Sequence, residues 1–343
     1  MRKVNEMGVT IKDIAKLANV SHTTVSRALN NSPLIKEKTK KKILDIANTL
    51  NYIPDYHAKN LVLQKSHTIG LFFTSMANGT SPSFLVDSIR GVSKVIDVQY
   101  NLFVRGIDDY DDYTYINNKR FDAIILMSQS DRDNTFIYNV VEKGIPLIVL
   151  NRQVDDSSII NILSNDKEGA YKAGEYLIEL GHRHIAIIEG IEGFKSTQQR
   201  KEGFLNSLID HNVSIRQEYM IQGNYDMQSG YEGMKALLRL KQPPTAVFCS
   251  NDDMAIGAMN AAFESGLNVP NDISIIGFDD IELAKYTTPS LTTVKRPIEK
   301  ISMTGAEAVL SLMDKDDKKM LQNKVLINTE LMVRQSVKSR SSM

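Results

Sequence analysis

Between Ile11 and Leu50, apolar residues recur every three or four positions. Ile11, Ile14, Ala15 and Ala18 fall on one face of a first helix, and Val25, Ala28 and Leu29 on one face of a second. Ile43, Ile46, Ala47 and Leu50 do the same for a third. Thr10 and Asp13 have the spacing of a capping box that opens the first helix, and Ser21 stands at the N-cap of the second. Only Asn19 and Val20 separate these two helices. Asparagine tolerates a left-handed backbone, so the pattern predicts two helices joined by one steep turn. The second helix then carries His22, Thr23, Ser26 and Arg27 opposite its buried stripe.

From His67 onward the pattern changes. "TIGLFFT", "NLFVRGI", "FDAIILMS", "IPLIVLN", "HIAIIEG", "TAVFCSND" and "ISIIGFDD" are short apolar runs rich in Ile, Val and Phe, separated by stretches of helical period. Strands alternating with helices imply parallel sheets covered on both faces. This part of the chain is longer than a usual domain core of about 100–150 residues, so two sheets are expected.

Charge distinguishes the two parts. Met1 to Lys65 holds twelve Lys or Arg against five Asp or Glu, a net of +7, while the whole chain holds 41 of each and so leaves −7 for the remainder. Lys36, Lys38, Lys40, Lys41 and Lys42 supply much of the excess. A basic helical module on an acidic body suits a protein that neutralises nucleic-acid phosphates with one end only.

"VTIKDIAKLANVSHTTVSRALNNSP", followed by "LNYIPDYHAKNL", resembles the amino-terminal signature of the lactose-repressor family of bacterial transcription regulators. Two positions depart from it: Asn19 stands where the family usually has Gly, and Lys36 where it usually has a Ser cap. The resemblance implies a helix-turn-helix domain over 1–53, a hinge helix over 54–66 and an effector-binding and dimerisation domain over 67–340. That last domain is expected as two periplasmic-sugar-binding-like subdomains, 67–165 with 291–325 and 166–290 with 326–340. His22, Thr23 and Arg27 match positions that read base edges, and Arg can pair with guanine bidentately. Thr10, Ser21, Thr24 and Ser26 match positions that hold phosphates or cap helices. Ala58 and Leu61 match the hinge-helix contact and the leucine wedge that bends the duplex.

The resemblance also places an effector between the subdomains, with Thr74, Leu150, Asn151, Ser196, Arg200, Tyr225, Asn251 and Asp279 around it. Asn, Asp and Tyr with an arginine suit a pyranose, whose hydroxyls need partners and whose apolar face suits an aromatic ring. Arg105, Arg152 and Arg296 are a surplus of guanidinium near the same cleft. They either face an anionic ligand, a hexuronate before a sugar phosphate and then a neutral sugar, or pair with acids such as Asp108 and Asp109.

Composition narrows the alternatives. A lone cysteine, Cys249, excludes internal disulfides and Cys-rich metal sites, and suits a reducing cytoplasm. No secretory segment and no run of eighteen apolar residues is present, so neither export nor membrane spanning is expected. No GxGxxG, P-loop or GxSxG occurs, so neither an enzyme nor a cofactor is expected. His182 and His184 of "GHRH" read as a surface turn, and Asp279 and Asp280 as hydroxyl acceptors. The tail after Arg334 lacks leucine heptads, which favours a homodimer over a tetramer. The expected partners are a near-palindromic DNA operator and a sugar-type effector. A catabolite-control-type regulator with a protein corepressor or a sugar-phosphate effector is the alternative, and a sugar-binding protein or sugar-modifying enzyme the remote one.

Overall fold

The computed structural model describes residues 9–29, 32–50, 52, 66–96, 98, 100–314 and 322–340. The chain divides into two compact units, Met1–Lys65 and Ser66–Met343.

In the first unit, α1 (Ile11–Ala18), α2 (His22–Leu29) and α3 (Glu37–Thr49) close on Ile14, Ala18, Val25, Ala28, Ile43 and Ala47. Asn19 ends α1 in the left-handed region at φ 51°, as its short polar side chain permits. Lys36 supplies no side-chain cap to α3. Instead the Lys42 ammonium donates to the Ala18 carbonyl at 3.0 Å, placing a cation where the α1 carbonyls are unpaired. The expected hinge residues Ala58 and Leu61 lie outside the described residues.

In the second unit, β1 (Thr68–Phe73), β2 (Asn101–Gly106), β3 (Ala123–Met127), β4 (Leu147–Leu150), β5 (Ile160–Ser164) and β11 (Lys324–Ile327) form one parallel sheet. Its order is β11-β5-β4-β3-β1-β2. A second sheet holds β6 (Ile185–Ile188), β7 (Met220–Ile221), β8 (Ala246–Cys249), β9 (Ser274–Asp279), β10 (Thr292–Lys295) and β12 (Glu330–Met332). Its order is β12-β10-β9-β8-β6-β7, and only β12 runs antiparallel. Helices α4 (Pro82–Val95) and α10 (Ile298–Met313) cover one face of the first sheet, and α5 (Asn134–Glu142) the other. On the second sheet α6 (Asp166–Glu179) and α7 (Lys195–Asp210) lie opposite α8 (Met227–Leu238) and α9 (Asp252–Glu264). Both faces are therefore buried, which is why the strands read as unbroken apolar runs: Leu71 and Phe73 join one core cluster, Phe72 the other.

The subdomain boundaries differ from expectation at two crossings. The return to the first subdomain was expected at 291, but β10 pairs with β9 in the second sheet through Thr292↔Ile276 and Val294↔Phe278. Thr293 Oγ1 also donates to the buried Asp252 carboxylate at 2.5 Å, which fixes the strand there. Residues 326–340 were expected to belong to the second subdomain, but β11, which runs to Ile327, completes the first sheet and only β12 joins the second, with Asn328 and Thr329 passing between them. Among the described residues no helix is long and apolar enough to cross a membrane.

Helices α8 and α9 meet at glycines. A Cβ on Gly257 would overlap the Met227 carbonyl oxygen, and one on Gly230 the Met254 backbone. Gly257→Ala is therefore expected to cost about 1–3 kcal/mol, read as a lower urea midpoint for the second unit. An unchanged midpoint would show that the pair separates freely.

Candidate functional site

In the first unit the hydroxyl-rich stretch is an exposed helix start. The Thr10 N–H and hydroxyl both donate to Asp13 Oδ2, at 2.9 and 2.6 Å, and these bonds hold the Asp13 carboxyl below its ordinary pKa. Ser21 Oγ accepts the Thr24 N–H at 3.1 Å and lies 2.9 Å from Thr24 Oγ1. Thr10 and Ser21 thus cap helices, and Thr24 is the residue that Ser21 caps. His22, Thr23 and Arg27 stand exposed, and Ser26 half-buried, on the face of α2 opposite Val25 and Ala28. Side chains at the start of a helix and one turn on are those that reach base edges when the helix enters a major groove.

In the second unit the carboxyl ends of the two sheets face one another across a cleft. Ser196, Arg200, Tyr225, Asn251, Asp279 and Arg296 line an inner chamber of about 20 Å³. At its base lies Asp166, fully buried in the first turn of α6. Arg200 Nε donates to Asp166 Oδ2 at 2.9 Å, while Arg296 Nε lies 3.3 Å from Oδ1. Ser164 donates to the same carboxylate. Burial alone would raise the Asp166 carboxyl, but the Arg296 and Arg200 guanidiniums overcome it and hold the pKa below its ordinary value. Arg200 continues to the Ser250 carbonyl and to Asp279 at 3.2 Å, and its guanidinium lies over the Phe278 ring at 3.9 Å. Burial raises the Asp279 carboxyl in spite of that contact.

The rims are equally specified. Tyr225 holds a left-handed backbone at φ 63°, and its hydroxyl lies 2.8 Å from Thr197 Oγ1 and 3.1 Å from Ser196 Oγ. Asn251 caps α9 through the Met254 N–H and donates to the Tyr225 carbonyl, both at 2.9 Å. Arg296 Nε also donates to Ser164 Oγ at 2.9 Å, and its Nη2 to Asn151 Oδ1 at 3.1 Å. That bond fixes the Asn151 amide, whose Nδ2 is buried with no acceptor among the described residues. Thr74 lines a separate outer chamber and donates to Asp133 at 2.6 Å.

Three expected effector residues are not brought to the cleft. Leu150 is fully buried, with its methyl carbons against Gly305 of α10. Arg152 turns into the first subdomain, where it donates to Ser128 Oγ at 2.6 Å, to Asp131 at 3.2 Å and to Asn134. Arg105 is exposed on edge strand β2, 3.6 Å from Asp109, which is the acid-paired alternative. His182 also departs from its expected surface position: it is buried, 2.9 Å from Thr245 Oγ1 and 3.1 Å from the Lys338 carbonyl. Asp166 was not anticipated. The signal was a repeat, Ser164-Asn165-Asp166 and Ser250-Asn251-Asp252, each leading from a strand into a helix with the aspartate buried. Phe84 and Gln129, which also line the inner chamber, carry no comparable signal.

Residues 10–55 match the family described as bacterial regulatory proteins, lacI family, and residues 175–337 match a periplasmic binding protein-like domain. A probable HTH-type transcriptional repressor, ExuR, of Bacillus subtilis (strain 168) is 65% identical over 330 residues, covering 96% of this chain and 98% of that protein. The HTH-type transcriptional repressor PurR of Photorhabdus laumondii subsp. laumondii is 36% identical over 316 residues, covering 89% and 90%. Among solved structures, the lac repressor dimer bound to operator and the anti-inducer ONPF has a TM-score of 0.84 at 25% identity, covering 97% of this chain and 100% of that one. An exposed helix start on a small three-helix unit, a two-sheet body with a polar cleft and these relatives lead to one conclusion: the chain belongs to the lacI family of bacterial regulatory proteins and is a DNA-binding transcriptional repressor.

Proposed function

We propose that this repressor acts as a homodimer on a near-palindromic operator and that an anionic sugar, a hexuronate in the first instance, binds between its subdomains and controls DNA binding. The lac repressor, at 25% identity, is described as a dimer bound to operator, which supports pairing of two α2 helices on half-sites. His22, Thr23 and Arg27 then read bases, and Thr10, Ser21, Thr24 and Ser26 position the unit on phosphates.

One observation carries the anionic reading. Arg296 is buried at the crossing between subdomains, and the amide it orients leaves a second buried donor, Asn151 Nδ2, without an acceptor among the described residues. The large majority of buried side-chain donors have a partner. A carboxylate beside Arg296 supplies what is lacking, while Asp279 and Asn251 take the ring hydroxyls. The inner chamber has room for about one water, so the subdomains must part slightly to admit a ring.

Titration calorimetry with galacturonate, glucuronate, glucose 6-phosphate and neutral hexoses is the test. The hexuronates are expected to bind most tightly. Arg296→Gln is expected to weaken them by about tenfold or more, since a charged hydrogen bond is lost, and to spare neutral sugars. If only neutral sugars bind and Arg296→Gln leaves them unchanged, the guanidinium is structural and the anionic reading fails.

A further inference from the structure

The cleft has two chambers, and the outer one is much the larger. A bond from the Lys195 N–H to the Gln129 carbonyl, at 2.9 Å, crosses between subdomains and separates them. Gly79 completes the wall: it sits at φ +75°, and a Cβ there would lie 2.7 Å from both Ile191 and Phe194. Lys195 Nζ adds an ion pair with Asp131 at 2.8 Å. Behind this wall the outer chamber has a volume of about 420 Å³, against about 20 Å³ inside. The larger value falls within the range of small-ligand sites.

Its lining suits a sugar ring. Tyr110 and Phe194 offer aromatic faces, Ser75 and Ser130 offer hydroxyls, and Asp108 and Arg132 stand exposed at its edge. Aromatic rings cover the apolar face of a pyranose, and a carboxylate accepts its paired hydroxyls. The wall consists of loop contacts between subdomains and the first residue of α7. Movement that admits a ring to the inner chamber therefore also joins the two chambers.

We propose that the effector is a uronic-acid-containing disaccharide, with its acid ring against Arg296 and Asn151 and its second ring in the outer chamber over Tyr110 and Phe194. This rests on reading the inner chamber as the acid site. A single hexuronate at the acid site would leave the outer chamber empty.

The experiment compares galacturonate and glucuronate with digalacturonate and glucuronosyl-xylose by titration calorimetry on the full chain. At least one disaccharide is expected to bind about tenfold more tightly than either monomer, through contacts that only a second ring makes. Tyr110→Ala should remove that advantage while leaving monomer affinity within about twofold. Asp108→Asn, which keeps the side chain's shape, should reduce the advantage without touching the monomers. Monomers equal to both disaccharides, or an advantage that survives Tyr110→Ala, would overturn the proposal yet leave the acid site standing. Failure of every acid to bind would remove both.

Discussion

Asp166→Ala is expected to destabilise the second unit by about 3–5 kcal/mol, the usual cost of removing one partner from a buried ion pair. The carboxylate is buried between two guanidiniums that are themselves almost wholly buried, Arg200 and Arg296. Without it these charges face each other and only the more exposed Asp279. Urea unfolding followed by circular dichroism measures the loss. Asp131→Ala, which breaks two ion pairs whose carboxylate side chain is 61% exposed, should cost about 1 kcal/mol or less. A similar small cost for Asp166→Ala would show that the two arginines do not depend on it.

The same group predicts an acid limit. Its folded pKa lies below its ordinary value, so its stabilisation is complete above the unfolded value of about 3.9 and is lost as pH falls through the folded one. Asp166→Asn should therefore flatten the fall of stability below about pH 4. An acid limb unchanged by that substitution would assign the limb to other carboxylates.

Binding to an operator selected from a random duplex pool is expected to weaken about 10³-fold or more between 50 and 200 mM salt, if six or more phosphates are neutralised. The net +7 of Met1–Lys65 motivates this figure. Arg27→Ala should cost about 1–3 kcal/mol on the selected site and broaden the preferred sequence, with little effect on unrelated DNA. Gel shifts at several salt concentrations measure both. Should Arg27→Ala weaken selected and unrelated duplexes equally, Arg27 touches phosphate and base reading must lie elsewhere on α2.

Much of the fold was legible because its signals are local. Asp13 three residues after Thr10, Asn19 between two helices and the apolar run of each strand all act within a few positions of themselves. Where a strand joins a sheet is not local. Thr292–Lys295 reads equally well as the end of one subdomain or the start of the other, and only its register with Ser274–Asp279 decides. Side-chain direction is similarly hidden. Asn151 and Arg152 are neighbours after β4, yet one meets Arg296 and the other turns to Ser128 and Asn134. The buried state of His182 depends on the Lys338 carbonyl, contributed by a segment 156 residues away.

The crossings described above also bear on how the chain is made. The first sheet lacks β11 and the cover of α10 until residues 298–327 are present, and the second lacks β10 and β12 until 292–332 are. Neither sheet is complete until the last part of the chain is made, and the edge of β5 waits uncovered from Ser164 until β11 begins at Lys324. The three-helix unit needs only the first 50 or so residues and has mostly local contacts, so it can fold early. Translation thus produces a finished DNA-binding head well before a body that can answer to any ligand.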